Sequence, residues 1–406
     1  MPIQKITAVT GVAKQGAKGT LATAPKYAHG LTGGTPVSVE ISQDPLEVTA
    51  GRRAQYNVVR HTAANGVAIN SPSYTRTLGL WLLGALGTDT VTGSAPGPYT
   101  HTYSTGDLPY LSIFTKGLAS TNEAIRDCKI DELSLKWDGS NPVNLSVKAA
   151  GTVFSYPAAF APATSFTVSS IAFSSGTATY TTSSQTLAAG DTVTITGTTN
   201  LANSGVFTVL ASPAPTSTTF AVTNANGVAQ AGAAGTVIQW ADETASESFL
   251  VPLGGTFQLD VIGSTLVNAR VVGGELTIKN NITAINPSAT VEADDVYEGV
   301  QEHSIKLTII PDDLAEFRKT VTGGAAGTAI ATVAPTGSVN LVFRENNNAS
   351  NTLTVTGSKI AFLTAFPDAD PKGGPVEIEL AGIPVVPQAS GTTALNYVLI
   401  NTEKLY

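Results

Sequence analysis

The chain has 406 residues, 42% of them hydrophobic and only 13% charged, with a formal net charge of −8. So few charges beside that much apolar content exclude a disordered polyelectrolyte, and 22 Lys+Arg against 30 Asp+Glu exclude a protein built to grip phosphates. Cys128 is the only cysteine, which excludes an intramolecular disulfide framework.

At the start of the chain, MPIQKITAVTGVAKQG lacks the apolar core of about 7–15 residues that a secretory signal needs. No run approaches the ~18 apolar residues of a membrane-spanning helix. The expectation is a chain made and folded in a cytoplasm, with no membrane partner. Val37–Ile41 reads as an early strand. SPSYTRTLGLWLLGAL, from Ser71 to Leu86, reads as a helix, with Ser71 as N-cap, Pro72 in the first turn and Gly87 as C-cap. Leu78, Trp81, Leu82, Ala85 and Leu86 would form one apolar stripe.

Cys128–Trp137 alternates as a strand, but its apolar phase slips at Asp131–Glu132, which predicts a β-bulge. In Pro142–Gly151, Val143, Leu145 and Val147 oppose Asn144, Ser146 and Lys148. From about Ala159 to Ile238 the chain is rich in Ser, Thr, Ala and Gly, and Asp191 is its only ionised side chain. Six short strands are expected there: Phe166–Phe173, Thr177–Thr181, Asp191–Thr196, Val206–Leu210, Thr219–Val222 and Gly235–Gln239, separated by turn signals. Their regular apolar spacing argues for a small Ig-like β-sandwich or barrel over a disordered linker. Further on, Glu275–Lys279 and Ser304–Ile309 alternate as strands, and Pro311 to Val321 reads as a second helix. In Pro375–Leu380, Val376, Ile378 and Leu380 oppose Glu377 and Glu379.

The segments before and after the Ser/Thr-rich stretch are nearly equal, at about 158 and about 164 residues. They also run in parallel. Each has an early strand, a helix, a Lys-Ile pair (Lys129-Ile130, Lys359-Ile360) and a closing strand begun by Pro-Val (Pro142-Val143, Pro375-Val376). The expected organisation is an internal duplication interrupted by a guest domain: residues 1–158, 159–242 and 243–406.

No catalytic constellation emerges. His29, His61, His101 and His303 do not have zinc-ligand spacing. Cys128 lies on a core phase and reads as packing. No nucleophile elbow, P-loop or dinucleotide fingerprint is present. The acidic run from Glu292 to Glu298 lacks the EF-hand spacing and reads as a solvated loop before a calcium site. No catalytic, cofactor-binding or metal residues are therefore expected. Glu377 and Glu379 are the candidates for a functional polar face.

CKIDELSLKWDGSNPVNLSVKAAG (residues 128–151) resembles the strand–turn–strand of tail tube proteins of long-tailed bacteriophages. GGPVEIELAGIPVV (residues 373–386) is similar, and residues 169–211 resemble small β-domains found in phage tails. The resemblance implies an all-β chain with few helices. It would hold two tandem tail-tube-type sandwich or barrel domains, each with a flanking helix, and an inserted β-domain on the tube exterior. It implies rings stacked into a virion tube, synthesised in the host cytoplasm, through which DNA passes without specific binding. The ring would be a homotrimer with pseudo-sixfold appearance, a homohexamer being the alternative. Tape measure and tail terminator proteins would be partners, no cofactor would be needed, and Glu377 and Glu379 would line a net-negative channel. A single tube domain is about half of what the flanks provide, which is where the chain departs from the family. Competing readings are a surface adhesin or carbohydrate-binding protein, and a carbohydrate-active enzyme using Trp81, Trp137 and Trp240 as sugar platforms.

Overall fold

The computed structural model describes residues 9–22, 25–46, 57–94, 97–118, 121–157, 160, 165–232, 235–239, 241–243, 248–262, 265–288, 290–311, 315–364, 376–386 and 393–406. The chain is all-β, with two α-helices among the described residues. The first part contains β1 (Val9–Lys14), β2 (Tyr27–Gly30), β3 (Gly33–Leu46), β4 (Asn57–Pro72), α1 (Thr75–Leu86), β5 (Gly87–Thr92) and β6 (Tyr99–Thr105). It continues with β7 (Leu111–Leu118), β8 (Thr121–Asp138), β9 (Asn144–Gly151) and β10 (Val153–Ser155). The guest strands are β11 (Ser165–Ser174), β12 (Thr177–Thr182), β13 (Thr192–Thr196), β14 (Gly205–Thr208), β15 (Thr219–Thr223) and β16 (Gly235–Ile238). Then come β17 (Ala241–Asp242), β18 (Leu250–Asp260), β19 (Val267–Asn268), β20 (Val271–Lys279), β21 (Thr283–Ile285), β22 (Asp295–Tyr297) and β23 (Glu302–Ile309). The last elements are α2 (Ala315–Thr322), β24 (Thr336–Glu345), β25 (Thr352–Thr364), β26 (Ile378–Pro384) and β27 (Asn396–Asn401).

One pairing order occurs twice. Before the guest strands, hydrogen-bonded neighbours run β2–β1–β7–β8–β9–β4–β3, all antiparallel. After them the order is β19–β18–β24–β25–β26–β23–β20. In each half a helix follows the hairpin β3–β4 or β20–β23. In each half, too, a final strand, β10 or β27, pairs with the first part of the long strand β8 or β25. The two halves join twice: residues 132–138 of β8 pair with residues 273–279 of β20, and residues 99–103 of β6 pair with residues 397–401 of β27. Eight strands therefore form one layer: β3–β4–β9–β8–β20–β23–β26–β25.

Alternation decides the faces of this layer. Leu133, Leu135 and Trp137 of β8, Leu276 and Ile278 of β20, and Ile305, Leu307 and Ile309 of β23 all point to one side and are buried. Each such side chain contributes roughly 1.5–3 kcal/mol on leaving water. Trp137 packs edge-on to Phe343 with centroids 4.9 Å apart and stacks on Phe257 at 6.2 Å. In the β8–β9 pairing the register shifts between Ile130 and Glu132, so Asp131 is the extra residue of a bulge. That is where the apolar phase of the sequence slips. Cys128 just before it is fully buried, and burial pushes its thiol well above the ordinary range.

The helices differ from expectation. Ser71 and Pro72 belong to β4, opposite Leu145 and Asn144 of β9, so α1 begins at Thr75 and its N-cap Tyr74 makes no side-chain cap bond. Pro72 lies opposite Asn144 at the end of β4, and the Ser73 N–H carries the pairing on to the Val143 carbonyl at 2.9 Å. α1 is buried around its whole circumference apart from Arg76, which suits a helix apolar on all sides. Gly87 terminates it at φ 101, donating to the Leu83 carbonyl. α2 runs from Ala315, and residues 312–314 lie outside the described set. The two Pro-Val pairs also are not equivalent. Val143 is fully buried while Val376 is 46% exposed, and by strand register the counterpart of Val143 is Ile378.

The six guest strands pair as β14–β13–β16–β11–β12–β15. The ends of this order meet at the Val209–Val222 bridge, so the sheet closes as a barrel. It has its own core, with Tyr180 stacked on Phe220 at 5.2 Å. β17 pairs with β2, so Ala241–Asp242 belongs to the large sheet and the guest sheet ends at Ile238. Ser165 lies opposite Ile238, so the barrel enters and leaves the host at adjacent residues. Deleting residues 165–238 should therefore leave a soluble, folded chain with a β-type circular dichroism spectrum. Insoluble material would contradict the modularity.

Two buried histidines make a second prediction. Burial lowers the pKa of both His29 and His303 from 6.5 to about 4. Between pH ~6.5 and ~4 the unfolded chain binds protons that the folded chain refuses. Stability is therefore complete above pH ~6.5 and falls as pH drops, by up to roughly 3 kcal/mol per histidine. Urea midpoints measured across this window should fall steadily, and less steeply in His303→Gln.

Candidate assembly face

On the four central strands, β9, β8, β20 and β23, the face of the eight-strand layer turned away from the core is polar because the outward phase of each strand is. Three cross-strand rows follow from the register. Lys148, Glu132, Lys279 and Glu302 stand side by side on β9, β8, β20 and β23. Lys136, Glu275 and Lys306 form the next charged row. Between them run Asn70, Ser146, Ser134, Thr277 and Ser304. Opposite charges alternate along both charged rows, the arrangement that stabilises neighbouring strands. The Lys148 ammonium lies 3.0 Å from Glu132.

Glu379 belongs to this face. It lies opposite Thr308 on β26, and a carboxylate oxygen is 3.7 Å from the Lys306 Nζ. Glu377 is exposed just ahead of the strand. From β9 to β26 the face carries Lys136, Lys148, Lys279 and Lys306 against Glu132, Asp138, Glu275, Glu302 and Glu379. With four lysines to five carboxylates this part of the face is slightly acidic. The lysines are legible as the polar phase of their strands, but their pairing with glutamates depends on register between distant segments.

The junction behind this face is reinforced by the segment between β20 and β23. The Asn280 amide donates to the carbonyls of Ala85 at 3.0 Å and Ile130 at 2.9 Å, closing the end of α1 and the bulge together. The Ile282 N–H donates to the Asp131 carboxylate. The acidic run that follows is a clamp, not a solvated loop. Glu292 accepts from the Phe154 N–H. Asp295 accepts from the Tyr110 hydroxyl at 3.0 Å and pairs with Lys18 at 2.6 Å. Glu298 pairs with Lys129 at 2.6 Å and accepts from the Leu108 N–H. Partial burial works against the charge on Asp295, but Lys18, its own neighbour's N–H and Tyr110 hold its carboxyl below the ordinary value.

A second polar cluster ties the guest barrel to the host. Glu403 accepts from the Tyr27 hydroxyl and from Thr192 of β13, and its carbonyl bonds His101, whose other ring nitrogen meets Asp89 at 2.8 Å. Burial opposes the charge on Arg76, yet Glu243, Glu403 and Glu345 around it outweigh that and hold its pKa above the ordinary guanidinium value. Tyr406 fills the space above Gly79 of α1, where any Cβ would strike its ring.

Trp81 and Trp137 are core residues and offer no sugar platform; Trp240 lies outside the described residues. Among the described residues no three His, Cys, Asp or Glu side chains cluster to hold a metal, and no helix is long and apolar enough to cross a membrane. No known protein family matches the chain, and no curated protein matches it.

The alternating rows predict a measurable coupling. Glu275→Lys would set three lysine side chains in line and should cost about 1 kcal/mol in urea denaturation. Adding Lys306→Glu should recover most of that. Unchanged stability in the single variant would show that the rows contribute nothing.

Proposed function

We propose that this chain is a non-enzymatic structural subunit that assembles into rings, and that the rings stack into a tube serving as a conduit for DNA in a phage tail. The observation that supports this is the eight-strand layer, made of two four-strand runs in the same order, with one face in the core and the other polar and solvated. A layer that repeats its own neighbour relation inside one chain is suited to continue that relation around a closed barrel.

Three chains would supply six equivalent runs and about 24 strands. At ~4.8 Å between strands and ~45° tilt the barrel is roughly 50 Å across, leaving about 40 Å clear, enough for a hydrated duplex. Six chains would roughly double that. The wall would be the polar face, with Glu379 and Glu377 toward its β26 end. From β9 to β26 its lysines are each faced by a glutamate, so a sliding phosphate backbone meets no continuous basic track there and no strong salt-dependent grip. The guest barrel, nearly without charge, contacts the C-terminal residues and joins the host beside β2, and would decorate the tube exterior.

Raising the concentration of the purified chain should give rings of three chains by native mass spectrometry and stacked tubes with an open lumen in electron micrographs. A chain that stays monomeric, or forms isolated beads as an adhesin array would, contradicts this function.

A further inference from the structure

The β8–β20 junction has unpaired counterparts at both ends of the layer. Among the described residues, the edge of β3 away from β4 pairs with no strand. The same holds for the edge of β25 away from β26 at residues 362–364. In the repeated pairing order β3 holds the place of β20, and β25 holds the place of β8. The two open edges are therefore the same two edges that the chain already joins internally.

We propose that β3 of one copy pairs antiparallel with the second half of β25 of the next copy, in the register copied from β20 and β8. This rests on the ring reading and names the contact that closes the ring. The register follows from matched pairs. Ile130 lies opposite Ala149 and Leu133 opposite Val147, as Ile360 lies opposite Pro384 and Phe362 opposite Gly382. Ser134 therefore corresponds to Leu363, and Ser146 to Ala381. Ser146 lies opposite Asn70 and Ala381 opposite Lys306, so Asn70 corresponds to Lys306. Asn70 then pairs with Gly33 as Lys306 pairs with Glu275, and Ala68 with Thr35 as Ser304 with Thr277. The internal pair Ser134–Thr277 thus becomes Leu363 of one copy opposite Thr35 of the next.

Exposure agrees with this placement. Ser134 at the internal junction is 7% exposed, while Leu363 at the open edge is 62% exposed. Ile383, on the strand beside it, is 54% exposed on the same face. Apolar side chains thus collect at the open β25 edge, whereas serine and threonine suffice where the junction is already formed. Open edges with backbone groups unpaired are the standing invitation to strand addition.

Leu363→Cys with Thr35→Cys in one chain tests the register. Opposed antiparallel residues lie about 4.5–5.5 Å apart, within disulfide reach, and the buried Cys128 does not compete. Oxidised rings should give a non-reducing ladder of two and three linked chains that ends at three. The control pair Leu363→Cys with Glu40→Cys, roughly 16 Å out of register, should stay unlinked. Rings that form without the 35–363 link, or that link the control equally, overturn this seam and leave the ring function standing. Absence of rings as well overturns both. In the unsubstituted chain, hydrogen exchange at residues 33–38 and 361–364 should slow on ring formation, and unchanged exchange also overturns the seam.

Discussion

The structure depends on one strand edge being satisfied by a distant segment. β8 has a free edge beyond its pairing with β7, and seven residues of β20 fill it. A backbone donor or acceptor left unpaired in a desolvated place costs as much as a lost hydrogen bond, so this junction, together with the β6–β27 pairing, orders the two halves and fixes their relative phase. Register then has consequences well beyond the pair. A slip of one residue would turn Leu276 and Ile278 to solvent and Glu275 and Thr277 into the core. The Asp131 bulge and the Asn280 amide lock the phase at one end. The clamp of Glu292, Asp295 and Glu298 holds the neighbouring segment in place.

The guest barrel is attached without disturbing that layer. It leaves the host between β10 and β17, both at the margin of the large sheet and not within the eight-strand run. Its contacts fall instead on the buried cluster around Glu403 and Arg76. Glu243 pairs with the Arg76 guanidinium at 3.5 Å within it, so removing Arg76 would leave that buried carboxylate without this cation. That cluster joins α1, β2, the C-terminal residues and β13, so the chain's last segment acts as a strap over the first helix.

Local features were legible in the sequence because they depend on neighbours in the chain. The period-2 alternation gave all six guest strands, β9 and β23, and the phase slip located the bulge at Asp131. The start of α1 was misplaced because Ser71-Pro72 is as good a strand end as a helix start, and pairing with β9 decides between them. The acidic run looks solvated in sequence because its partners Lys18, Tyr110 and Lys129 are far away along the chain. Likewise the balance of Lys136, Glu275 and Lys306 exists only once β8, β20 and β23 lie in register. Strand pairing between remote segments is a tertiary fact, and alternation carries no information about which remote partner is chosen.

The most direct test of the central claim, that the layer continues its internal junction around a ring, is the symmetry of the assembled particle by cryo-microscopy. The account requires threefold symmetry at high resolution, an inner wall of about 24 strands that looks sixfold when blurred, and three guest barrels on the outside. Six chains per ring, an inner wall not built from the eight-strand layer, or guest barrels facing the lumen would contradict it.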